Sequence, residues 1–218
     1  MAILSIDQGT TGTTVILVGS EGQVLAKTYH EFQQFYPQRG WVEHDPEEIW
    51  ETVVECVGEI CSSQSEPIEA IGITNQRETT IIWDADTGIP VYNAIVWQCR
   101  RTASICETLE PHRSLIKAKT GLPLDAYFSG TKAQWILNHA SIRPEQNLKF
   151  GTIDTWLIWK LTGGKVHATD YSNASRTMLF NIHNRVWDTE LCQLLDVPED
   201  ILPEVKNSAD DYGVVSAL

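Results

Sequence analysis

The sequence predicts a mixed α/β domain on three observations. Short apolar runs separated by turn residues open the chain, a capped amphipathic helix follows, and strand-like and then helix-like patterns fill the rest. The opening runs are Ile3 to Ile6, Val15 to Val18 and Val24 onward. Gln8-Gly9 and Glu21-Gly22 separate them, which is the pattern of an antiparallel meander. Asp45 offers an N-cap, Pro46 suits the first helical position and Glu48 completes a capping box. From there Ile49, Trp50, Val53, Val54, Val57 and Ile60 recur at helical spacing, predicting one buried face.

Beyond Pro67, Ile68 to Ile73 reads as a buried strand that enters a loop at Thr74-Asn75-Gln76-Arg77-Glu78. Thr79 to Trp83 and Tyr92 to Trp97 read as further strands, with Asp86-Thr87-Gly88 between them. Helical patterns then cover Thr102 to Leu109, Thr131 to His139, Thr155 to Leu161 and Asp188 to Leu195. Ser208 to Leu218 carries an apolar Val-Val-Ser-Ala-Leu stretch that reads as the start of a further strand, with an expectation that the natural chain continues.

Composition narrows the partners. The 16 basic and 29 acidic side chains leave a net charge of -13, which repels a phosphate backbone over most of the surface. Nucleic acid is not an expected partner. No apolar run approaches the roughly 20 residues needed to cross a bilayer, so no membrane insertion is expected. Met-Ala-Ile-Leu-Ser-Ile-Asp lacks the pattern of a secretory signal, which makes the expected location cytoplasmic. Cys56, Cys61, Cys99, Cys106 and Cys192 form no C-x-x-C pair and read as reduced thiols. Self-association into a homo-oligomer stays open.

Two constellations carry chemistry. In Ser5-Ile-Asp-Gln-Gly-Thr-Thr-Gly-Thr-Thr14, a carboxylate ends the first strand and a hydroxyl-rich hairpin follows. Such a turn presents N–H groups and Thr side chains to phosphate while Asp7 holds Mg²⁺; the plain alternative is a polar turn between two strands. In Asn75 to Thr80, Arg77 donates and Glu78 accepts, the mixed capacity that a small polyol requires; the alternative is a solvated turn. Adjacent side chains on a regular strand face opposite ways, so shared use of Arg77 and Glu78 requires irregular backbone. Trp97 and Tyr127 offer an apolar face and a phenol to such a ligand, or else pack in the core. There is no G-x-x-x-x-G-K-[ST], which excludes a P-loop.

Taken in order, these blocks are familiar. Ile6 to Thr11, Gly40 to Pro46, Ile71 to Thr80, Asn93 to Thr102, Tyr127 to Lys132, Asp154 to Trp159 and Thr169 to Phe180 resemble the FGGY carbohydrate kinases, and within them the glycerol kinases. The resemblance implies an actin-like ATPase or ribonuclease H-like fold, with a mixed sheet flanked by helices. It implies ATP and Mg²⁺ as cofactors, glycerol as substrate and glycerol 3-phosphate as product. By the same resemblance Asp7 is the catalytic residue that helps hold the metal. Thr10, Thr11, Gly12 and Thr14 lie at the nucleotide phosphates, and Arg77, Glu78, Trp97 and Tyr127 surround the polyol.

Thr14 stands where the family's loop commonly carries an arginine, so a neutral hydroxyl replaces a charge. Residues 1–218 are then expected to be an N-terminal domain ending ahead of the Gly-Asp-Gln-Gln segment that bears the family's catalytic base, with the second domain absent and the chain alone inactive. Asp170 reads as a capping residue rather than a substitute base. The rival readings are another FGGY polyol or sugar kinase, a non-catalytic polyol sensor of the same fold, and an actin-like or chaperone-type ATPase.

Overall fold

The computed structural model describes residues 1–218. Strands β1 (Ala2–Gln8), β2 (Gly12–Gly19) and β3 (Val24–Glu31) form the expected antiparallel meander. After β4 (Glu43–His44), helix α1 (Pro46–Ser63) crosses back over the sheet to β5 (Ile68–Asn75), which lies parallel to β1. The sheet order is β3-β2-β1-β5. Next come β6 (Ile81–Asp84), β7 (Ala94–Ile95), α2 (Ala103–Thr108), α3 (Arg113–Thr120), α4 (Ser129–His139), β8 (Leu148–Gly151) and α5 (Ile153–Leu161). The chain finishes with β9 (Ala168–Asp170), α6 (Tyr171–Ala174), β10 (Phe180–Asn181), β11 (Val186–Trp187), α7 (Thr189–Leu194) and β12 (Glu204–Lys206).

Two apolar cores result, and the same short strands divide them. One core packs Leu4, Ile6, Val15 and Leu17 of the sheet against Ile49, Val53, Val57 and Ile60 of α1. The other gathers Ile116, Phe128, Ile136, Leu179 and Leu191. Along β6 the side chains alternate: Ile81 and Trp83 enter the first core and Ile82 the second. Ala94 and Ile95 of β7 split in the same way. All four residues of β6 are therefore buried, and the segment between β5 and β6 emerges where the cores meet.

Several expectations are corrected. Asp45 caps α1 by accepting from the Glu47 N–H at 2.9 Å, but Glu48 completes no capping box, because its carboxylate accepts from the Gln33 N–H instead. Val54 does not belong to the buried face of α1; it is 39% exposed, since the stripe facing the sheet runs through Ile49, Val53, Cys56 and Ile60. Ile68 to Ile73 is not a buried strand. It sits at the sheet edge with β1 as its one strand neighbour, and it continues to Asn75 because that residue pairs with Gln8. Tyr92 to Trp97 contributes only two strand residues. The apolar stretch after Ser208 forms no strand; its backbone bonds singly, as Ser216 N–H does to Leu161 O, and the nearby strand is β12, parallel to β9. No helix is long and apolar enough to cross a membrane.

Candidate active site

The site lies at the carboxyl ends of the parallel pair β1 and β5, a usual place for ligands in α/β sheets. Asp7 is the penultimate residue of β1, exposed, with Thr14 and Thr74 as its partners on the two flanking strands. Gly9 to Gly12 then makes the tight turn, closed by Gly9 N–H donating to Gly12 O at 2.9 Å. A side chain at Gly12 would meet Tyr29 and the His30 carbonyl at 2.6 Å, so only glycine permits this approach to β3. Gly12 is accordingly buried as the foot of the turn. Thr10 and Thr11 form its tip, and neither N–H has an acceptor within the chain. Thr14 is half-buried between Asp7 and Tyr29.

The loop after β5 holds the second cluster. Glu78 adopts φ +64°, a strained setting for a residue with a side chain, and this is the irregular backbone that Arg77 and Glu78 require. Its carbonyl is fixed by two donors, the Thr80 and Ser129 hydroxyls, each at 3.1 Å. The kink separates the two side chains: Arg77 is exposed with no partner in the chain, whereas Glu78 is 2% exposed. The Glu78 carboxylate accepts from Arg176 Nε at 2.6 Å.

Direct contacts join the clusters. Trp97 Nε1 donates to Thr10 Oγ1 at 3.0 Å, so the indole expected at the polyol touches the turn expected at the phosphates. Trp97 and Tyr127 are half-buried with ring centroids 5.4 Å apart. The Arg176 guanidinium lies 5.8 Å from the Tyr127 ring and 5.0 Å from that of Phe128. Glu78, Arg176, Tyr127, Trp97 and Thr10 thus form one contiguous chain of contacts.

Gln76 ties the same pieces together from beneath. Its backbone N–H donates to Gln8 O at 2.7 Å, and its amide donates to Gln8 Oε1 and Gly9 O. Its carbonyl accepts from Thr79 Oγ1 at 2.9 Å, which in turn accepts from the Trp97 backbone N–H. His44 completes the network: Nε2 donates to Gln34 Oε1 at 2.7 Å, leaving Nδ1 to accept from the Gln76 amide at 3.3 Å. Burial holds this imidazole down at about 4, so it stays neutral and keeps that tautomer. Gln34 Nε2 donates onward to Thr10 O.

Lys132 of α4 is fully buried under Tyr127 and donates to the Tyr127 and Phe128 carbonyls, while burial pushes its ammonium down to about 7. Asp170 caps α6, accepting from the Asn173 N–H at 2.7 Å and from the Ser208 hydroxyl, which is the structural duty expected of it. A cavity of about 640 Å³ lies away from these residues, between α1, β5 and the chain's last residues, and is lined mainly by apolar side chains such as Leu4, Val54 and Val215. It shares no residue with the site.

The family model for the N-terminal domain of the FGGY carbohydrate kinases matches residues 2–217. The chain belongs to that family. This FGGY domain is 56% identical over 220 residues to glycerol kinase 2 of Thermotoga maritima, and 54% identical over 221 residues to a glycerol kinase of Clostridium perfringens. Each comparison covers 97% of the chain, which spans 44% of the length of those relatives. Among solved structures it resembles Plasmodium falciparum glycerol kinase with ADP (TM-score 0.93, 36% identity, 99% of this chain and 45% of that one). It also resembles a ligand-bound xylulose kinase of Lactobacillus acidophilus (TM-score 0.84, 25% identity, 94% of this chain and 42% of that one). The FGGY domain therefore has the actin-like, ribonuclease H-like fold, with its mixed sheet and flanking helices.

Of the residues singled out from the sequence, Thr10, Glu78, Trp97 and Tyr127 are linked by side-chain contacts, with Asp7, Thr11, Gly12, Thr14 and Arg77 on the same turn, hairpin and loop; Arg176, Gln76 and Lys132, which join these pieces, are not among those singled out. Arg176 follows the hydroxyl-rich Ser172-Asn-Ala-Ser175, a setting that favours a solvated turn and gives no local sign of a carboxylate partner.

Proposed function

We propose that residues 1–218 form the N-terminal domain of a longer, two-domain enzyme that transfers a phosphoryl group from ATP to glycerol, giving glycerol 3-phosphate. The observation that carries this reading is the Trp97 to Thr10 hydrogen bond, which sets a polar and aromatic cluster against a turn with two unpaired N–H groups. The names of relatives 54% to 56% identical favour glycerol over other alcohols.

In this reading Arg77 donates to the polyol hydroxyls and Glu78 accepts from them, while Trp97 covers the carbon face and Tyr127 bonds a hydroxyl. Thr10 and Thr11 donate their N–H groups to phosphate oxygens. Their bonds through Trp97 and Gln76 hold donor and acceptor in one frame, which is most of what phosphoryl transfer asks of a protein. Asp7 suits Mg²⁺, an ion that keeps several waters and binds through one or two carboxylates, because it is an exposed carboxylate flanked by Thr14 and Thr74. Bound there, the ion supplies charge neutralisation on the phosphate oxygens.

A base for the substrate hydroxyl is not assigned within residues 1–218. Glu78 is held on one oxygen by Arg176 and has its other oxygen assigned to polyol binding, and Asp170 is committed to Asn173 and Ser208. We place the base in the second domain, so residues 1–218 alone turn over slowly or not at all. In the intact protein, a coupled ADP-release assay is expected to show glycerol-dependent turnover well above that with pentitols or ketoses. Preference for a pentitol or ketose would move the assignment to another FGGY kinase. Thr14, a neutral residue beside Asp7, favours one further reading, a polyol sensor, which glycerol binding without ATP turnover in the intact protein would select.

A further inference from the structure

The geometry points to Arg176 as a positioning residue for polyol binding, acting through Glu78 and the Tyr127 ring rather than by touching the ligand. This rests on the glycerol reading above and deepens it. Glu78 is almost wholly buried, and a carboxylate buried without a partner is expensive. The single guanidinium on it is that of Arg176, which engages Oε1 through Nε at 2.6 Å. One carboxylate oxygen is thereby held by a charged donor, and Oε2, which has no donor within the chain, is left as the acceptor for a ligand hydroxyl. A carboxylate free to rotate would offer either oxygen in many directions, and a ligand would lose the entropy of fixing it.

The same guanidinium covers an aromatic edge of the site, 5.0 Å from the Phe128 ring and 5.8 Å from that of Tyr127. Tyr127 also packs against the Trp97 ring, and its backbone carbonyl accepts from the Lys132 ammonium. Arg176 therefore fixes the acceptor and one aromatic wall together, from a segment 98 residues away in sequence. Lysine is a poor substitute, because its point charge carries neither the planar stacking surface nor a directed Nε–H.

A double-mutant cycle on glycerol affinity, measured by calorimetry well below the unfolding temperature, separates this role from simple packing. Arg176→Gln is expected to weaken glycerol binding on the order of tenfold or more, and Arg176→Lys to recover part of that loss. With Glu78→Gln already present, Arg176→Gln is expected to cost under about threefold further, because the group it positions is gone. Losses that simply multiply, or an Arg176→Gln variant that is less thermostable yet binds glycerol as the unaltered chain does, would overturn the proposal. Should Arg176→Gln fail to fold, Arg176→Lys carries the test: an equal loss with and without Glu78→Gln overturns it. An unaltered chain with no glycerol affinity sinks the functional reading and this proposal together, whereas glycerol binding indifferent to residue 176 sinks the proposal alone.

Discussion

Trp97 and Thr10, 87 residues apart in sequence, meet in one hydrogen bond from the indole Nε1 to the threonine Oγ1 at 3.0 Å. One partner belongs to the wall that would face the polyol and the other to the turn that would face the phosphates. A change at either is therefore felt at both. Thr10→Val removes the acceptor and keeps the shape, leaving a half-buried indole N–H unpaired, at a cost of about 1 kcal/mol or roughly fivefold in glycerol affinity. Calorimetry on the purified variant checks this; glycerol affinity equal to that of the unaltered chain would mean the two walls are not coupled.

Gln76 concentrates more bonds than any other side chain at the site, donating to Gln8 Oε1 and Gly9 O and accepting from Thr79. Gln76→Ala strands several buried polar atoms at once. Loss of about 2 to 4 kcal/mol of unfolding free energy is expected, together with weaker glycerol binding at temperatures where the variant is still folded. Denaturant melts paired with glycerol titration measure both. A loss under about 0.5 kcal/mol would show that the network carries little energy.

Thr14 neighbours Asp7 across the β1–β2 ladder, at the mouth of the turn. Thr14→Arg places a guanidinium beside the turn that would face the phosphates, on a strongly acidic protein. Charge-assisted bonds of this kind contribute about 1.5 to 3 kcal/mol, so nucleotide affinity is expected to rise by about tenfold or more. The gain should shrink as salt is raised. Nucleotide binding that is unchanged or weaker in the variant would argue against phosphates at this turn.

Acidification should destabilise the fold through buried imidazoles. Burial holds His44 and His167 down at about 4 each, below the ordinary 6.5, and His167 donates Nε2–H to the Phe150 carbonyl at 2.8 Å. The unfolded chain takes up protons that the folded chain refuses, so this stability is complete above pH 6.5 and is lost as the pH falls toward 4. Asp154, pushed up to about 6 by burial, works in the opposite sense, since its contribution is complete below pH 3.8 and is lost as the pH rises to about 6. Two histidines outweigh one carboxyl, and a net fall of a few kcal/mol, on the order of 2 to 4, is expected between pH 7 and 4.5. Urea melts at the two pH values, with His167→Gln flattening the difference, test the assignment.

Much of this was legible in the sequence, and the parts that were not share a cause. The meander, the Asp45 cap and the kink that Arg77 and Glu78 require follow from signals within a few neighbouring residues. So does the absence of a P-loop motif. Glu48, Val54 and the edge position of β5 depend on what packs alongside them, which no local pattern states. Glu48 satisfies the capping motif and still turns to Gln33, because that N–H is presented to it by the chain entering from β3. The pairing of Arg176 with Glu78 and the pairing of β12 with β9 join distant segments, and a single sequence holds no trace of which partner each will find.

The central claim is that the Asp7 hairpin and the Arg77–Glu78 loop compose one centre that takes a polyol. Glycerol titration by calorimetry against the unaltered chain and its Arg77→Ala and Glu78→Ala variants tests it most directly. The account predicts saturable binding by the unaltered chain and a loss of at least about tenfold in each variant, since each removes hydrogen bonds from a charged group to the ligand. Glycerol affinity that is the same in all three proteins would contradict it.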